Sequence, residues 1–291
     1  PYTTLFRSEY GMIFDFRLRP PYKGFSRLSI FNPVCNAVPP HNVNAWRSES
    51  AHQKSFPLFL EEMKEAGIEK GVIMARAASN FASAVPNEDV RDLALEYPDR
   101  FFPFGGVDVS GGILPALAEV RRCREWGFKG IAVEPGFCDP ARKPDDATLY
   151  PVYALCAELD MTLVITASFF LGPDVDYCNP VYIQHVASDF PTLPIVVSHA
   201  CYPWLMQMVN IMFLHPNIWI IPDMYMNNPS APGNQMYGDA VKWLDGERIL
   251  FGSAYPCFDM RQAVHDFERF GLDDRLTRKV MWENAHKLLG L

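Results

Sequence analysis

Short runs of β-branched and aromatic residues alternate along the chain with longer amphipathic stretches. This alternation predicts repeated strand–helix units and therefore a parallel sheet. The predicted strands are 13–18, 71–75, 102–108, 130–134, 162–166, 195–199, 218–223 and 249–252. The predicted helices are about 56–66, 87–97, 113–126, 146–159, 180–190, 204–214, 240–245, 260–270 and 273–289. The pattern predicts a single α/β domain, a (β/α)8 TIM barrel with an extra C-terminal helix.

A long connection follows the first predicted strand. It covers about residues 20–55, is rich in Pro and Asn, and contains Pro-Pro pairs at 20–21 and 39–40. Connections in compact domains are usually much shorter, and long ones tend to be functional. We expect this loop to act as a lid or a subunit contact. With the Met-rich predicted helix 204–214, it predicts a homo-oligomer.

The N-terminal residues 1–8 read as the translation of a widely used sequencing adapter. We therefore expect residues 1–11 to be a non-native leader and Met12 to be the natural start. The barrel domain is then expected to span residues 12–291. A basic segment followed by an apolar run is absent from this sequence, so a signal peptide is not expected.

The composition narrows the class of protein. The 291 residues are 49% hydrophobic and 21% charged, as in an ordinary globular domain. A formal net charge of −8 provides no basic surface for nucleic acid or an anionic membrane, and the longest apolar stretch is too short to cross a bilayer. The seven cysteines include no Cys-x-x-Cys pair, which argues against a disulfide framework or a zinc ribbon and favours a cytoplasmic enzyme. The expected partner is a small anionic organic molecule.

Three of the predicted strands end in motifs that resemble a known family. Residues 12–20 read MIFDFRLRP, residues 194–200 read PIVVSHA and residues 248–256 read RILFGSAYP. With NAHKLLG at 284–290, they resemble strands one, six and eight and the C-terminus of the amidohydrolase superfamily, in the branch called amidohydrolase 2. The resemblance covers 12–291. It implies a TIM barrel and an enzyme that hydrolyses lactones, esters or amides, or decarboxylates aromatic acids.

The resemblance also implies a metal site, from which this sequence departs. The branch has Asp-x-His-x-His on strand one and Gly-Ser-Asp-Tyr-Pro on strand eight, where this chain has Arg17, Arg19 and Ala254. Thr166 stands at the position of a strand-five histidine, and His199 matches the strand-six histidine. Arginine stays protonated and alanine has no donor atom, so neither can ligate a metal. No cofactor is therefore expected.

An alternative metal site remains open on the same sequence. Glu134, His199 and Asp223 all lie at predicted strand ends and could together supply three donors for zinc. This interpretation predicts a metal-dependent hydrolase or decarboxylase with rebuilt ligands.

The C-terminal ends of barrel strands face the active site. Arg17, Arg19 and Arg76 lie there and are candidates for binding a substrate carboxylate or phosphate through paired N–H groups. The alternative is that they form structural ion pairs with acidic side chains at the same ends. Tyr225 and Tyr255 are candidate substrate contacts beside them.

The candidate acid–base residues are His199, Asp223 and Glu134. Histidine has a pKa near neutrality, so His199 is the expected proton carrier, with Asp223 or Glu134 as its orienter or as a base. We expect an amidohydrolase-related enzyme that hydrolyses an activated bond, such as that of a lactone, without a metal. A barrel that binds an anion without turnover is the second hypothesis, and the rebuilt metalloenzyme is the third.

Overall fold

The structure is a computed structural model that describes residues 12–31, 48–78 and 84–291. The expected leader, residues 1–11, lies outside the described residues. So does the middle of the long loop after the first strand, from 32 to 47. None of the helices in the described ranges is long and apolar enough to cross a membrane.

Seven strands form one parallel sheet in which each strand pairs with the next along the chain. They are β1 (Ile13–Leu18), β2 (Ile68–Met74), β3 (Phe101–Gly106), β4 (Gly130–Val133), β5 (Thr162–Ser168), β6 (Ile195–Tyr202) and β7 (Ile218–Ile221). The strands are buried on both faces because one face forms the barrel interior and helices cover the other. The predicted TIM barrel is confirmed.

The eighth predicted strand, 249–252, is not a regular strand. Residues 248–255, here called the closing segment, join β7 to β1 through isolated bridges, Ile220 with Ile249 and Leu18 with Tyr255. The Leu250 N–H donates to the Ile220 carbonyl at 2.9 Å, and the Phe16 N–H donates to the Phe251 carbonyl at 2.8 Å. The barrel therefore closes with a sparser hydrogen-bond ladder at this seam than elsewhere.

The helices alternate with the strands as the sequence predicts. They are α1 (Glu49–Gln53), α2 (Phe56–Glu65), α3 (Asn87–Glu96), α4 (Ile113–Glu125), α5 (Tyr150–Glu158), α6 (Pro180–Asp189), α7 (Leu205–Leu214), α8 (Gln235–Trp243), α9 (Met260–Glu268), α10 (Asp274–Arg278) and α11 (Asn284–Leu289). A π-helical turn, Lys279–Glu283, joins α10 to α11. The single C-terminal helix expected over 273–289 is thus three helical pieces in succession.

A bulge in β1 decides which of its side chains face the barrel mouth. Phe14 and Phe16 belong to an apolar cluster drawn from every strand, which is therefore the barrel interior. Asp15 pairs with Gly71 and Leu18 pairs with Ile73, so three steps on β1 match two on β2. Such an extra residue re-aims the side chains that follow it. Before the bulge the even-numbered Phe14 and Phe16 face the barrel interior, and after it the odd-numbered Arg17 and Arg19 face the site.

Candidate functional site

Three strand ends at the barrel mouth bend through the left-handed region at a site residue. The φ angle is +67° at His199 in the C-terminal half of β6, +39° at Asp223 after β7 and +61° at Ala254 in the closing segment. Ala200 and Cys201 continue the left-handed path after His199. Non-glycine residues held this way cost about 1–3 kcal/mol each and persist only where the surroundings hold them. This concentration of strain marks the mouth as a functional site.

One buried cluster joins β1, β6 and β7 at this mouth. His199 Nδ1 lies 2.8 Å from Asp223 Oδ1. The Arg17 guanidinium lies between the two, with Nε 3.1 Å from Asp223 Oδ2 and Nη2 3.3 Å from His199 Nε2. Arg17 Nη1 also donates to the Ser198 hydroxyl at 2.7 Å. All four side chains are buried, so these contacts are little screened by water.

The contacts define the protonation state of His199. A guanidinium can only donate, so Nε2 is the acceptor of the Arg17 contact and Nδ1 carries the proton that Asp223 accepts. Burial lowers the pKa of His199, Arg17 and Arg19 lower it further, and the attraction of Asp223 opposes them. Burial by itself raises the pKa of Asp223, but His199 and Arg17 outweigh it, so that pKa is lowered. The cluster is therefore a neutral imidazole beside an arginine–carboxylate pair.

Asp15 supports this cluster from β1. A single oxygen, Oδ1, accepts the backbone N–H groups of Arg17 at 2.9 Å and of Ser253 at 3.1 Å. It thereby joins β1 to the closing segment directly beneath the site. Burial raises the pKa of Asp15 to about 6, against the lowering effect of these hydrogen bonds.

A second cluster lies at the ends of β1, β2 and β4. Arg76 donates Nε and Nη2 to the two oxygens of Glu134 at 2.6 and 2.8 Å. Burial raises the pKa of Glu134, but the charges of Arg76 and Arg19 outweigh it and hold that pKa at about 2. Arg19 Nη2 is 4.0 Å from Glu134 Oε1, at the limit of an ion pair. With two arginines and one carboxylate, this cluster carries one surplus positive charge.

Arg19 is the weakly paired member of that cluster. Its side chain is 12% exposed, and its Nε is buried without a hydrogen-bond partner among the described residues. Burial lowers the pKa of Arg19 to about 9, and the neighbouring charges of Arg17 and Arg76 add to this effect. A buried, poorly paired guanidinium is costly, so an anionic ligand would be strongly favoured beside it.

The cleft next to Arg19 is bounded by polar groups from four strands. Arg19, Arg76, Glu134 and Thr166 line it, together with small apolar side chains that include Ala132. Its cavity volume is about 10 Å³, roughly the space of one water molecule, and it is open to solvent on one side. An organic ligand would therefore enter only if side chains around Arg19 move aside.

The structure separates the two candidate tyrosines. Tyr225 lies beside the His199 ring, with 5.8 Å between ring centroids, and its hydroxyl is 2.6 Å from that of Ser168. The Tyr255 hydroxyl instead lies 2.8 Å from that of Ser50, and its ring packs on Phe59 at 4.8 Å. A substrate contact by Tyr255 stays a prediction that this geometry does not support.

The two candidate carboxylates, Asp223 and Glu134, lie in different clusters. Asp223 contacts His199, whereas Glu134 is paired with Arg76. Sequence reasoning missed Ser198, which anchors Arg17, and Phe170, whose ring centroid is 5.9 Å from that of His199. The only sequence signal for Ser198 was its position immediately before His199. Phe170 follows the end of β5 and lies beyond the predicted strand.

The described side chains at the mouth do not suit a divalent metal. Within the described ranges, no group of three or more His, Cys, Asp or Glu side chains is placed to hold one. Glu134 therefore does not join His199 and Asp223 as a ligand set. The side of His199 that a metal would need, Nε2, faces the positive guanidinium of Arg17, which would repel a second cation.

The fold and these motifs define an amidohydrolase-type TIM barrel. The chain belongs to the amidohydrolase family, because the family model described as Amidohydrolase matches residues 44–291. The family resemblance expected from the strand-end motifs is thus confirmed.

Individual relatives extend this comparison. A TIM-barrel protein from Bordetella bronchiseptica, Bb4693, described as uncharacterised, is 33% identical with a TM-score of 0.89, covering 96% of this chain and 98% of that chain. The gamma-resorcylate decarboxylase of Polaromonas sp. (strain JS666 / ATCC BAA-500) is 23% identical over 79% of this chain and 85% of that protein. The 5-carboxyvanillate decarboxylase of Novosphingobium aromaticivorans DSM 12444, solved with manganese, is 18% identical with a TM-score of 0.66, covering 97% of each chain.

Proposed function

We propose that this protein is an enzyme that hydrolyses a lactone or ester bond in a small organic anion, without a metal. The observation that carries the proposal is the buried contact of His199 with Asp223 at 2.8 Å beside an arginine-lined cleft. The matching family model is described as Amidohydrolase, which supports a hydrolytic enzyme, and arginine, histidine and carboxylate side chains lie at the mouth of this barrel.

Substrate binding is assigned to the cluster with surplus positive charge. Arg19 is partly buried and weakly paired, with a buried Nε, so a substrate carboxylate beside it would remove an existing electrostatic cost. Glu134 already neutralises one of the two guanidinium charges there. The remaining single charge favours one carboxylate rather than two at this end of the substrate.

The chemical step is assigned to His199. Nε2 accepts the Arg17 Nη2 hydrogen bond at 3.3 Å, so it would take a proton from water only once that N–H turns from the ring to the substrate. The water oxygen then attacks the acyl carbon of the substrate as Nε2 accepts its proton. The ester C–O bond then breaks, and the proton on Nε2 passes to the departing alkoxide. Asp223 steadies the imidazolium between these transfers. The products are a carboxylic acid and an alcohol, or one hydroxy acid from a lactone, with His199 returned to its neutral form.

Decarboxylation of an aromatic acid is the second candidate. The gamma-resorcylate decarboxylase relative, 23% identical over most of this chain, favours it. In this case His199 would have to deliver a proton to the ring carbon as carbon dioxide departs. The two candidates share the arginine-bound carboxylate and differ in the product.

The test is a panel of lactones, aryl esters and hydroxylated benzoic acids that each carry one carboxylate. Acid release and carbon dioxide release are followed separately, on chelator-treated protein and on protein supplied with zinc or manganese. We expect acid release from a lactone or ester by the chelator-treated enzyme. His199→Gln and Asp223→Asn should reduce kcat by about 10²–10⁴-fold.

Other outcomes decide against the proposal. Carbon dioxide release would select the second candidate, and activity only with added metal would select a rebuilt metalloenzyme. Calorimetric binding of panel compounds without any turnover would select a non-catalytic barrel. A homo-oligomer and a cytoplasmic location stay predictions from the sequence, which sedimentation and cell fractionation would test.

A further inference from the structure

The two arginines of β1 differ sharply in their surroundings, although the sequence presents them as a pair. Arg17 makes hydrogen bonds from Nη1 to Ser198 and from Nη2 to His199, and its Nε forms an ion pair with Asp223 Oδ2 at 3.1 Å. Arg19 has one distant partner, Glu134 at 4.0 Å, and a buried Nε without a partner among the described residues. The first is held in place and the second is available to a ligand.

We propose that Arg17 is a positioning residue whose guanidinium occupies, between His199 and Asp223, the place that a divalent cation would need. Because it aims a proton-transferring histidine, this inference rests on the proposed function. In the resting site Arg17 fixes the orientation of the imidazole ring, as Nη2 donates to Nε2. Nε contacts the carboxylate that holds the opposite ring nitrogen.

The backbone supports this placement independently of the side-chain contacts. The bulge between Asp15 and Leu18 turns Arg17 into the mouth, and Asp15 Oδ1 accepts the Arg17 N–H at 2.9 Å. The Arg17 residue is 3% exposed. A buried guanidinium on a braced strand end loses little side-chain freedom when it aligns another group, which suits a positioning role.

The surrounding charges match this assignment. The charges of Arg17 and Arg19 lower the pKa of His199, and Asp223 after β7 raises it. The ring centroids of Tyr225 and Phe170 lie 5.8 and 5.9 Å from that of the imidazole, and His199 is buried. Within this enclosure a second cation at Nε2 would face Arg17 directly. If a histidine replaced Arg17, two imidazoles and the Asp223 carboxylate would lie together in this space.

The test replaces Arg17 with a ligand. Arg17→His should create a site of three donors with His199 and Asp223, and isothermal titration should show one zinc ion bound at micromolar Kd or tighter. Wild-type protein and the neighbouring variant Arg19→His should each show at least 100-fold weaker binding. Arg17→His combined with Asp223→Asn should lose the site. Circular dichroism verifies that each variant is folded.

Two results would overturn the inference. One is stoichiometric zinc in wild-type protein that disappears in His199→Gln. The other is a folded Arg17→His variant that binds zinc no better than Arg19→His. This measurement uses no substrate, so its failure is distinct from failure of the proposed function.

Chemical rescue provides the second measurement and remains informative if Arg17→His does not fold. Arg17→Ala should lower kcat more than it raises KM, and added guanidinium ion should restore kcat at least tenfold. Arg19→Ala should mainly raise KM and should not be rescued in kcat. Equal effects of both variants on KM, or no rescue of Arg17→Ala, would count against a positioning role.

Discussion

Arg76 meets Glu134 through two parallel hydrogen bonds, at 2.6 and 2.8 Å, with both side chains buried. Removing Arg76 leaves Glu134 as a buried charge that Arg19, 4.0 Å away, relieves only in part. The pair therefore fixes the architecture of the cleft.

We expect Arg76→Met to lower the free energy of unfolding by about 3 kcal/mol. Equilibrium urea unfolding measures this loss. Arg76→Met combined with Glu134→Gln should lose less than the sum of the two single variants, because neither charge is then left alone. The exposed pair of Lys23 and Asp92 at 2.7 Å is the control, and Lys23→Met should have a much smaller effect. Simple additivity in the double variant would contradict a coupled pair.

Arg19→Met should stabilise the fold while weakening substrate binding. The guanidinium is buried with little pairing, and an apolar side chain of similar length removes that cost, which we put at about 1–4 kcal/mol. Thermal unfolding and KM measured on the same preparation test both halves of the prediction. Arg124→Met, at an exposed position of α4, is the matched control. A less stable Arg19→Met protein would indicate that Arg19 serves the fold.

Asp15 should make the wild-type protein less stable as the pH rises from 4 to 7. Its pKa is about 6 in the folded protein and 3.8 in the reference state, so the folded state binds the extra proton. This contribution is fully present below pH 3.8 and is lost as the pH rises through 6, with a difference of about 3 kcal/mol at most.

Asp15→Asn isolates this effect. Asparagine retains an oxygen that can accept the N–H groups of Arg17 and Ser253 but carries no charge. Urea unfolding at pH 4, 5, 6 and 7 should show wild type losing stability relative to the variant. Asp239→Asn, exposed on α8, should follow wild type across the series. Parallel curves for wild type and Asp15→Asn would refute the assignment.

Asn227 should be important for holding the closing segment. Its Nδ2 donates to the Gly252 carbonyl at 2.7 Å from a buried position. Asn227→Ala leaves that carbonyl without this donor, and we expect a loss of about 1–3 kcal/mol in unfolding free energy. The adjacent Asn228, whose side chain accepts the Ser230 N–H at 3.0 Å, provides the control. Equal losses for the two alanine variants would indicate a general effect of the loop.

The fold was predictable because its strands are short apolar runs separated by amphipathic helices. β1, β5 and β6 are buried at nearly every position. Their β-branched and apolar residues are therefore enough to predict them as strands. The closing segment was misassigned for a physical reason. Its apolar residues resemble a strand, but its backbone pairs at isolated bridges, and side chains such as Asn227 and Asp15 complete the seam.

The site was predictable as a set of strand ends but not as a set of contacts. The sequence indicated that Arg17, His199 and Asp223 would share the mouth, because the ends of parallel strands meet there. It did not distinguish the tasks of Arg17 and Arg19. That distinction depends on the β1 bulge and on the contact with Ser198. Neither can be predicted from the alternation of residues along a strand.

The sparse pairing of the closing segment has a consequence for motion. Hydrogen exchange reports local opening, which occurs most readily where few backbone hydrogen bonds must break. The amides of Phe16 and Leu250, which bond across the seam, should therefore exchange sooner than those inside β5 or β6. Arg17 lies on β1, which forms one side of that seam, and Arg19 directly follows it. A substrate anion bound there would therefore restrain local opening of this strand end. Slower exchange at Phe16 would then report occupancy of the cleft before any product is known.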